Sequence, residues 1–203
     1  MKAKRLRLGW AMLALTLAAF VSGDRLPIGA KAPMTDLAMT DVSGRTVTLA
    51  EAAGENGLLV LFTANDCPWV KAWEGRYLAA AEAAKALGVG MIAVNPNEAG
   101  RARADGLEAM KKHAEARGYT FYYALDRDHR LADAFGAERT PEVFLFDKNL
   151  TLVYAGAIDD NPRRPEAVEH PYLLDAMRAM VAGRPVPVAS TKAIGCAIKR
   201  VRR

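Results

Sequence analysis

A fully apolar run of strand length, Leu58-Leu59-Val60-Leu61-Phe62, breaks abruptly into the polar turn Thr63-Ala64-Asn65-Asp66 and then into Cys67-Pro68. A strand without polar alternation has to be covered on both faces. Covering it calls for helices on either side of a sheet, which is the layering of an α/β domain. After the turn, Val70, Trp73, Tyr77, Leu78 and Ala81 recur near helical spacing and stop before Gly88. Asp66 is a candidate cap for this helix and Pro68 suits its first turn. The spacing therefore puts Cys67 at a strand-to-helix junction.

The remaining segments extend the pattern. Pro27 to Pro33 reads as an irregular lead-in, and Asp36 to Leu49 as two short strands around Asp41-Val42-Ser43-Gly44. Val89 to Val94 is a second buried strand. A helix is predicted from about Ala102 to Arg117, stopped by Gly118. Tyr119 to Phe135 reads as an insertion holding a strand-like stretch and a short helix. Val143–Phe146 and Leu152–Tyr154 are predicted to form an antiparallel hairpin through Asp147-Lys148-Asn149, followed by a closing helix over Leu173–Val181. The order implies a mixed central sheet flanked by helices, with an N-terminal strand extension and a C-terminal tail. Three parts are expected: residues 1–23, a domain over 27–183, and a basic, cysteine-containing tail over 184–203.

The first part is chemically distinct. Lys2, Lys4, Arg5 and Arg7 precede the apolar stretch Leu8–Val21, and small residues Ser22 and Gly23 follow. This order reads as a secretory signal or an uncleaved N-terminal anchor, with a buried N-terminal helix as the alternative. The expected location is exported, periplasmic or extracellular. Any membrane association would run only through that N-terminus. Four of the five net positive charges lie in this segment, and much of the remaining basic character lies in the last dozen residues. The folded body has no clustered basic surface, so nucleic acid is not an expected partner.

Only two cysteines occur, Cys67 and Cys196, too few for a disulfide framework. The three histidines, His113, His129 and His170, are scattered without zinc-site spacing. Neither a metal nor a cofactor is expected. Asp159-Asp160-Asn161 reads as a turn rather than a cation site, and His113 as a surface residue. Cys67 has a physical reason to be reactive. Unpaired N–H groups at a helix start favour the thiolate, which is the nucleophilic form. Lys71 supports the thiolate, while Asp66 and Glu74 oppose it. The alternative is a buried, inert thiol. From the residues alone, the Thr140-Pro141 bond is expected to be trans, as most X–Pro bonds are.

Phe62-Thr63-Ala64-Asn65-Asp66-Cys67-Pro68-Trp69-Val70-Lys71 resembles the active-site segment of thioredoxins, with Cys67 in place of the nucleophilic first cysteine. Thr140-Pro141 resembles their cis-proline loop, which implies a cis bond. The chain from Pro27 to Lys199 is similar to exported redoxin-like proteins of the AhpC/TSA and thioredoxin superfamily. Cys67-Pro68-Trp69-Val70-Lys71, Gly156-Ala157-Ile158-Asp159-Asp160-Asn161 and Gly195-Cys196-Ala197-Ile198-Lys199 carry that likeness. Three departures stand out. Ala64 replaces a further cysteine common in these relatives. Val70 replaces the second cysteine of a CxxC pair. Thr63 lies four residues before Cys67, where peroxiredoxins place a threonine three before.

The resemblance implies a thioredoxin-like fold. It implies a thiol-disulfide oxidoreductase or thiol-dependent peroxidase with Cys67 as nucleophile and Cys196 as candidate resolving cysteine. Cys196 could instead form a static disulfide or simply pack. Pro68, Trp69, Lys71, Thr140 and Pro141 are the candidate supporting residues, Trp69 as a wall of a substrate groove. The expected partners are a thiol or disulfide protein substrate or a small peroxide, together with an external thiol reductant. The competing reading is a redox-inactive thioredoxin-fold module for binding or chaperoning, favoured by the missing dithiol.

Overall fold

The computed structural model describes residues 24–201. The signal or anchor read at residues 1–23 lies outside the described residues, as do Arg202 and Arg203. Around the first turn, β1 (Met39–Asp41) and β2 (Thr46–Val47) pair antiparallel. A one-turn helix, α1 (Leu49–Ala52), follows. Thr48 and Glu51 cap it reciprocally, each side chain meeting the other's backbone N–H.

The apolar run is β3 (Gly57–Phe62), and all six of its residues are buried. Its side chains alternate between two cores, Leu59 and Leu61 in one and Leu58, Val60 and Phe62 in the other. The predicted helix after it comes in pieces. α2 (Pro68–Trp73) and α3 (Tyr77–Ala86) are separated by a tighter turn over Glu74–Arg76. Gly75, a weak helix former, stands in that turn. The buried Glu74 beside it binds inward to His113 and Tyr119.

Next come β4 (Val89–Asn95), α4 (Leu107–Arg117), β5 (Tyr122–Leu125) and α5 (Arg130–Phe135). Helix α4 starts five residues later than expected. The residues before it are held by Asp105, whose carboxylate accepts from Asn65 N–H and Asn95 Nδ2, and by Arg101, which donates to the Asn95 and Asp126 carbonyls. This buried network overrides the local helix propensity. At its other end α4 stops at Gly118 in the left-handed conformation, φ 66°. His113 is not a free surface residue, because its ring binds the buried Glu74.

The chain finishes with β6 (Arg139–Thr140), β7 (Glu142–Asp147), β8 (Leu152–Gly156), α6 (Tyr172–Val181) and β9 (Cys196–Ala197). Hydrogen-bonded strands run in the orders β2-β1-β5-β4 and β3-β7-β8. β3 and β4 lie side by side, and Thr63 N–H donates to Val94 O across the junction at 2.9 Å. The result is a mixed central sheet with β4 and β5 parallel and the β7–β8 hairpin antiparallel. The stretch read as an insertion is therefore part of the sheet. β5 sits between β1 and β4 because Tyr123 and Ala124 are apolar enough to be buried there.

One core holds Trp73, Tyr77, Tyr123, Tyr154 and Met177. The other is built around Phe135, whose ring meets Phe62, Phe144 and Phe146 edge-on at centroid distances of 5.4, 5.2 and 5.6 Å. Phe135 has no solvent exposure. Its replacement by Ala is expected to lower the unfolding free energy by about 3–5 kcal/mol, measured by urea denaturation.

Candidate active site

Cys67 lies where β3 has ended and α2 begins. Its backbone is extended, φ −129° and ψ 118°, and Pro68 takes the first helical position. The loop in front of it is pinned from below. Thr63 Oγ1 lies 3.1 Å from Tyr77 Oη, Tyr123 O–H donates to Asn65 Oδ1 at 2.8 Å, and Asn65 N–H donates to Asp105. Beneath the helix, Trp73 Nε1 donates to Asp159 Oδ1 at 2.8 Å, and Arg76 pairs with Asp159 Oδ2 at 2.8 Å. Asp159 is thus a buried brace for the helix carrying Cys67, within the turn expected from sequence.

The second wall is the β6–β7 loop. The Thr140–Pro141 bond is cis, and the Thr140 carbonyl lies 3.0 Å from Cys67 Sγ. Glu142, 1% exposed, fixes this loop from behind. Its Oε2 accepts the Glu138 and Arg139 N–H groups, and its Oε1 pairs with Arg25 at 3.1 Å. Among the described residues, the buried Thr140 hydroxyl has no hydrogen-bond partner.

The tail brings the other sulfur. β9 pairs antiparallel with β6 in the register Thr140↔Cys196 and Arg139↔Ala197. This places Cys196 Sγ 2.7 Å from Cys67 Sγ. The tail is seated at each side of that pair. Thr191 N–H donates to Ala155 O, and its hydroxyl accepts from Ala157 N–H. Beyond the cysteine, Ile198 is buried in the phenylalanine core and Lys199 N–H donates to Asn97 Oδ1 at 2.8 Å. At Gly195 the fit is tight, since a Cβ there would lie 2.4 Å from the Thr140 carbonyl oxygen. A mobile tail is one reading of its Pro and Gly content. Strand pairing and the burial of Ile198 instead hold it against the domain.

The two thiols differ in environment. Burial pushes the Cys67 thiol up, but hydrogen bonds from the Cys196 thiol and from the Val70 and Cys196 N–H groups outweigh it and hold its pKa below the ordinary thiol value. The largest lowering influences are these bonds rather than the Lys71 charge expected from sequence. For Cys196, burial and the neighbouring Cys67 charge push the pKa up to about 11. Of the two thiols, Cys67 has the lowered pKa and Cys196 the raised one.

Of the residues singled out from sequence, Cys67, Cys196, Pro68, Trp69, Thr140 and Pro141 converge. Trp69 is partly exposed, with Arg163 over its ring at 5.6 Å. Lys71 is exposed, and its N–H donates to the Cys67 carbonyl at 3.1 Å. Sequence reading missed Arg25, Glu142 as a brace, Asn97 and Gly195. Asn97 follows the end of β4 in a polar Asn-Pro-Asn, the one local sign that a side chain there has a task.

A model of the AhpC/TSA family matches residues 28–155. An uncharacterized conserved protein from Geobacillus kaustophilus is similar at 34% identity, covering 90% of this chain and 97% of its own, with a TM-score of 0.82. A hypothetical protein from Sinorhizobium meliloti is similar at 32% identity, covering 88% and 97%, with a TM-score of 0.78. A peroxidoxin from Mycobacterium tuberculosis shares the fold at 13% identity, covering 77% and 96%, with a TM-score of 0.58. None of the curated proteins searched matches the chain.

The thiol environments give a direct test. Cys196→Ala removes the strongest donor to Cys67, while Cys196→Ser keeps one of similar size. The Cys67 pKa, read from thiolate absorbance against pH, is expected to be higher in the Ala variant than in the Ser variant.

Proposed function

The chain belongs to the AhpC/TSA family, and from that premise we propose that it is a two-cysteine thiol redoxin in which Cys67 is the nucleophile and Cys196 resolves. The observation that carries this reading is the pair of sulfurs 2.7 Å apart, one with a lowered pKa and the other held as a thiol. A missing CxxC is no obstacle, because strand pairing supplies the second sulfur from the tail in place of Val70.

With a hydroperoxide as oxidant, the Cys67 thiolate attacks one peroxide oxygen and the O–O bond breaks. The other oxygen leaves as an alcohol or water after taking a proton. Cys67 is now a sulfenic acid. The Cys196 sulfur attacks it, the S–S bond forms, the S–O bond breaks, and water leaves with the Cys196 proton. A disulfide substrate would instead be opened by the Cys67 thiolate, and Cys196 would resolve the mixed disulfide in the same geometry. An external thiol reductant returns both sulfurs to thiols. The Thr140 carbonyl and the Cys196 thiol flank the reacting sulfur, while Pro68, Trp69 and Pro141 shape its surroundings. An exported location, read from residues 1–23, suits this chemistry, since disulfides persist in oxidising compartments.

The reading is tested on the full chain with substoichiometric hydrogen peroxide, alkylation of remaining thiols, and peptide mapping before and after dithiothreitol. A Cys67–Cys196 bond that forms quickly and reverses is the expected result, and Cys67→Ala should abolish it completely. A Cys67 that stays reduced would remove the peroxidase step. Failure of a small disulfide, 2,2′-dithiodipyridine, to exchange with it would then remove the redoxin reading.

A further inference from the structure

We propose that β9 restricts this redoxin to small oxidants by occupying, from within the chain, the strand edge beside Cys67 on which an extended polypeptide could otherwise be seated. The inference rests on the reading of Cys67 as the nucleophile and names its substrate class. A free strand edge is a general seat for an extended peptide, which adds to it through main-chain hydrogen bonds. Here the edge of β6 is taken by Cys196 and Ala197.

Displacing this occupant means breaking anchors on both sides of it. Upstream, Ala155 exchanges hydrogen bonds with Ala189 and Thr191, and Arg25 donates to the Thr191 carbonyl at 2.9 Å. Downstream, Ile198 is 6% exposed, Ala99 N–H donates to Lys199 O, and Arg200 reaches Asp133 and the Ala137 carbonyl. An external strand competes with one that is covalently attached, at an effective concentration of about millimolar or more. Cys67 is 1% exposed beneath this strand, whereas Cys196 is only half-buried. On this proposal a hydroperoxide or small disulfide needs only a rotation of the Cys196 side chain about its Cα–Cβ bond, which would leave the strand pairing intact. Seating a polypeptide requires the whole strand to leave. Gly195 is the positioning residue in this arrangement, because any side chain there meets Thr140 O and the Pro141 nitrogen.

The test uses two activated disulfides that release the same thiopyridone chromophore. One is 2,2′-dithiodipyridine, and the other is a ten-residue peptide carrying a thiopyridyl cysteine. Cys196→Ser in the full chain keeps the tail in place and leaves Cys67 as the only thiol. With it, the small disulfide should react and the peptide should lag far behind. Adding Gly195→Val, which pushes the tail off Thr140, should raise the peptide-to-small ratio by about tenfold or more. Ile198→Ala in the full chain, which loosens the tail on the other side of Cys196, is the second variant, should the valine variant misfold. The proposal is overturned if the peptide already keeps pace with the small disulfide while the tail is seated. It is also overturned if releasing the tail speeds both probes equally. If neither probe reacts in the released variants, the nucleophile reading itself falls, a separate and visible failure.

Discussion

Burying Leu58–Phe62 on both faces is the constraint from which the rest of the molecule follows. Strands have to flank it, and cores have to form above and below the sheet. The chain must then leave the sheet through a polar turn, because Thr63 is the last residue tied to β4. That exit sets where α2 can start, and so where Cys67 stands. The two cores also fix the walls of the site. The tyrosine and tryptophan side carries α2 on Asp159, and the phenylalanine side receives Ile198 of the tail.

The site divides the work of two sulfurs by environment rather than by sequence spacing. A CxxC pair places both thiols on one helical turn. Here one thiol comes from the helix start and the other from a strand laid across the cis-proline loop. The separation gives each its own backbone surroundings, while the contact between them shifts their pKa values in opposite directions. Cys67 collects donors that favour its anion. Cys196, facing Cys67, has its pKa raised by burial and by that neighbour. The arrangement depends on backbone geometry, which explains why Glu142 and Arg25, far from the sulfurs in sequence, hold the loop that the tail pairs with.

Much of the fold was legible because its signals are local. The β3 run, the Asp41–Gly44 turn, the β7–β8 hairpin and the stop at Gly118 each follow from residue type and period. The delayed start of α4 was not legible, since Asp105 and Arg101 act through partners distant in sequence. The same holds for β5, whose place beside β1 is a matter of topology, and for His113, whose partner Glu74 lies on another element. At the site, the place of Cys67 could be read from its surroundings, whereas the cis bond at Pro141 overturns what the residues alone suggest and was implied only by the family resemblance. The meeting of Cys196 with Cys67 could only be conjectured, because register between two two-residue strands leaves no periodic trace. Gly195 stood in view beside the cysteine, but its reason is a contact with Thr140 that no local pattern encodes.

The ends of the described chain are interlocked. Arg25 holds both Glu142 of the proline loop and the Thr191 carbonyl, and Ile198 fills a core that also contains Leu26. During synthesis, then, the sheet can form long before its thiol pair does. Residues 189–201 are made after every strand of the central sheet, and until they arrive Cys67 has neither its cover nor its partner. The second sulfur thus reaches a sheet that is already built, and the pairing of the two cysteines is a late step in the molecule's assembly.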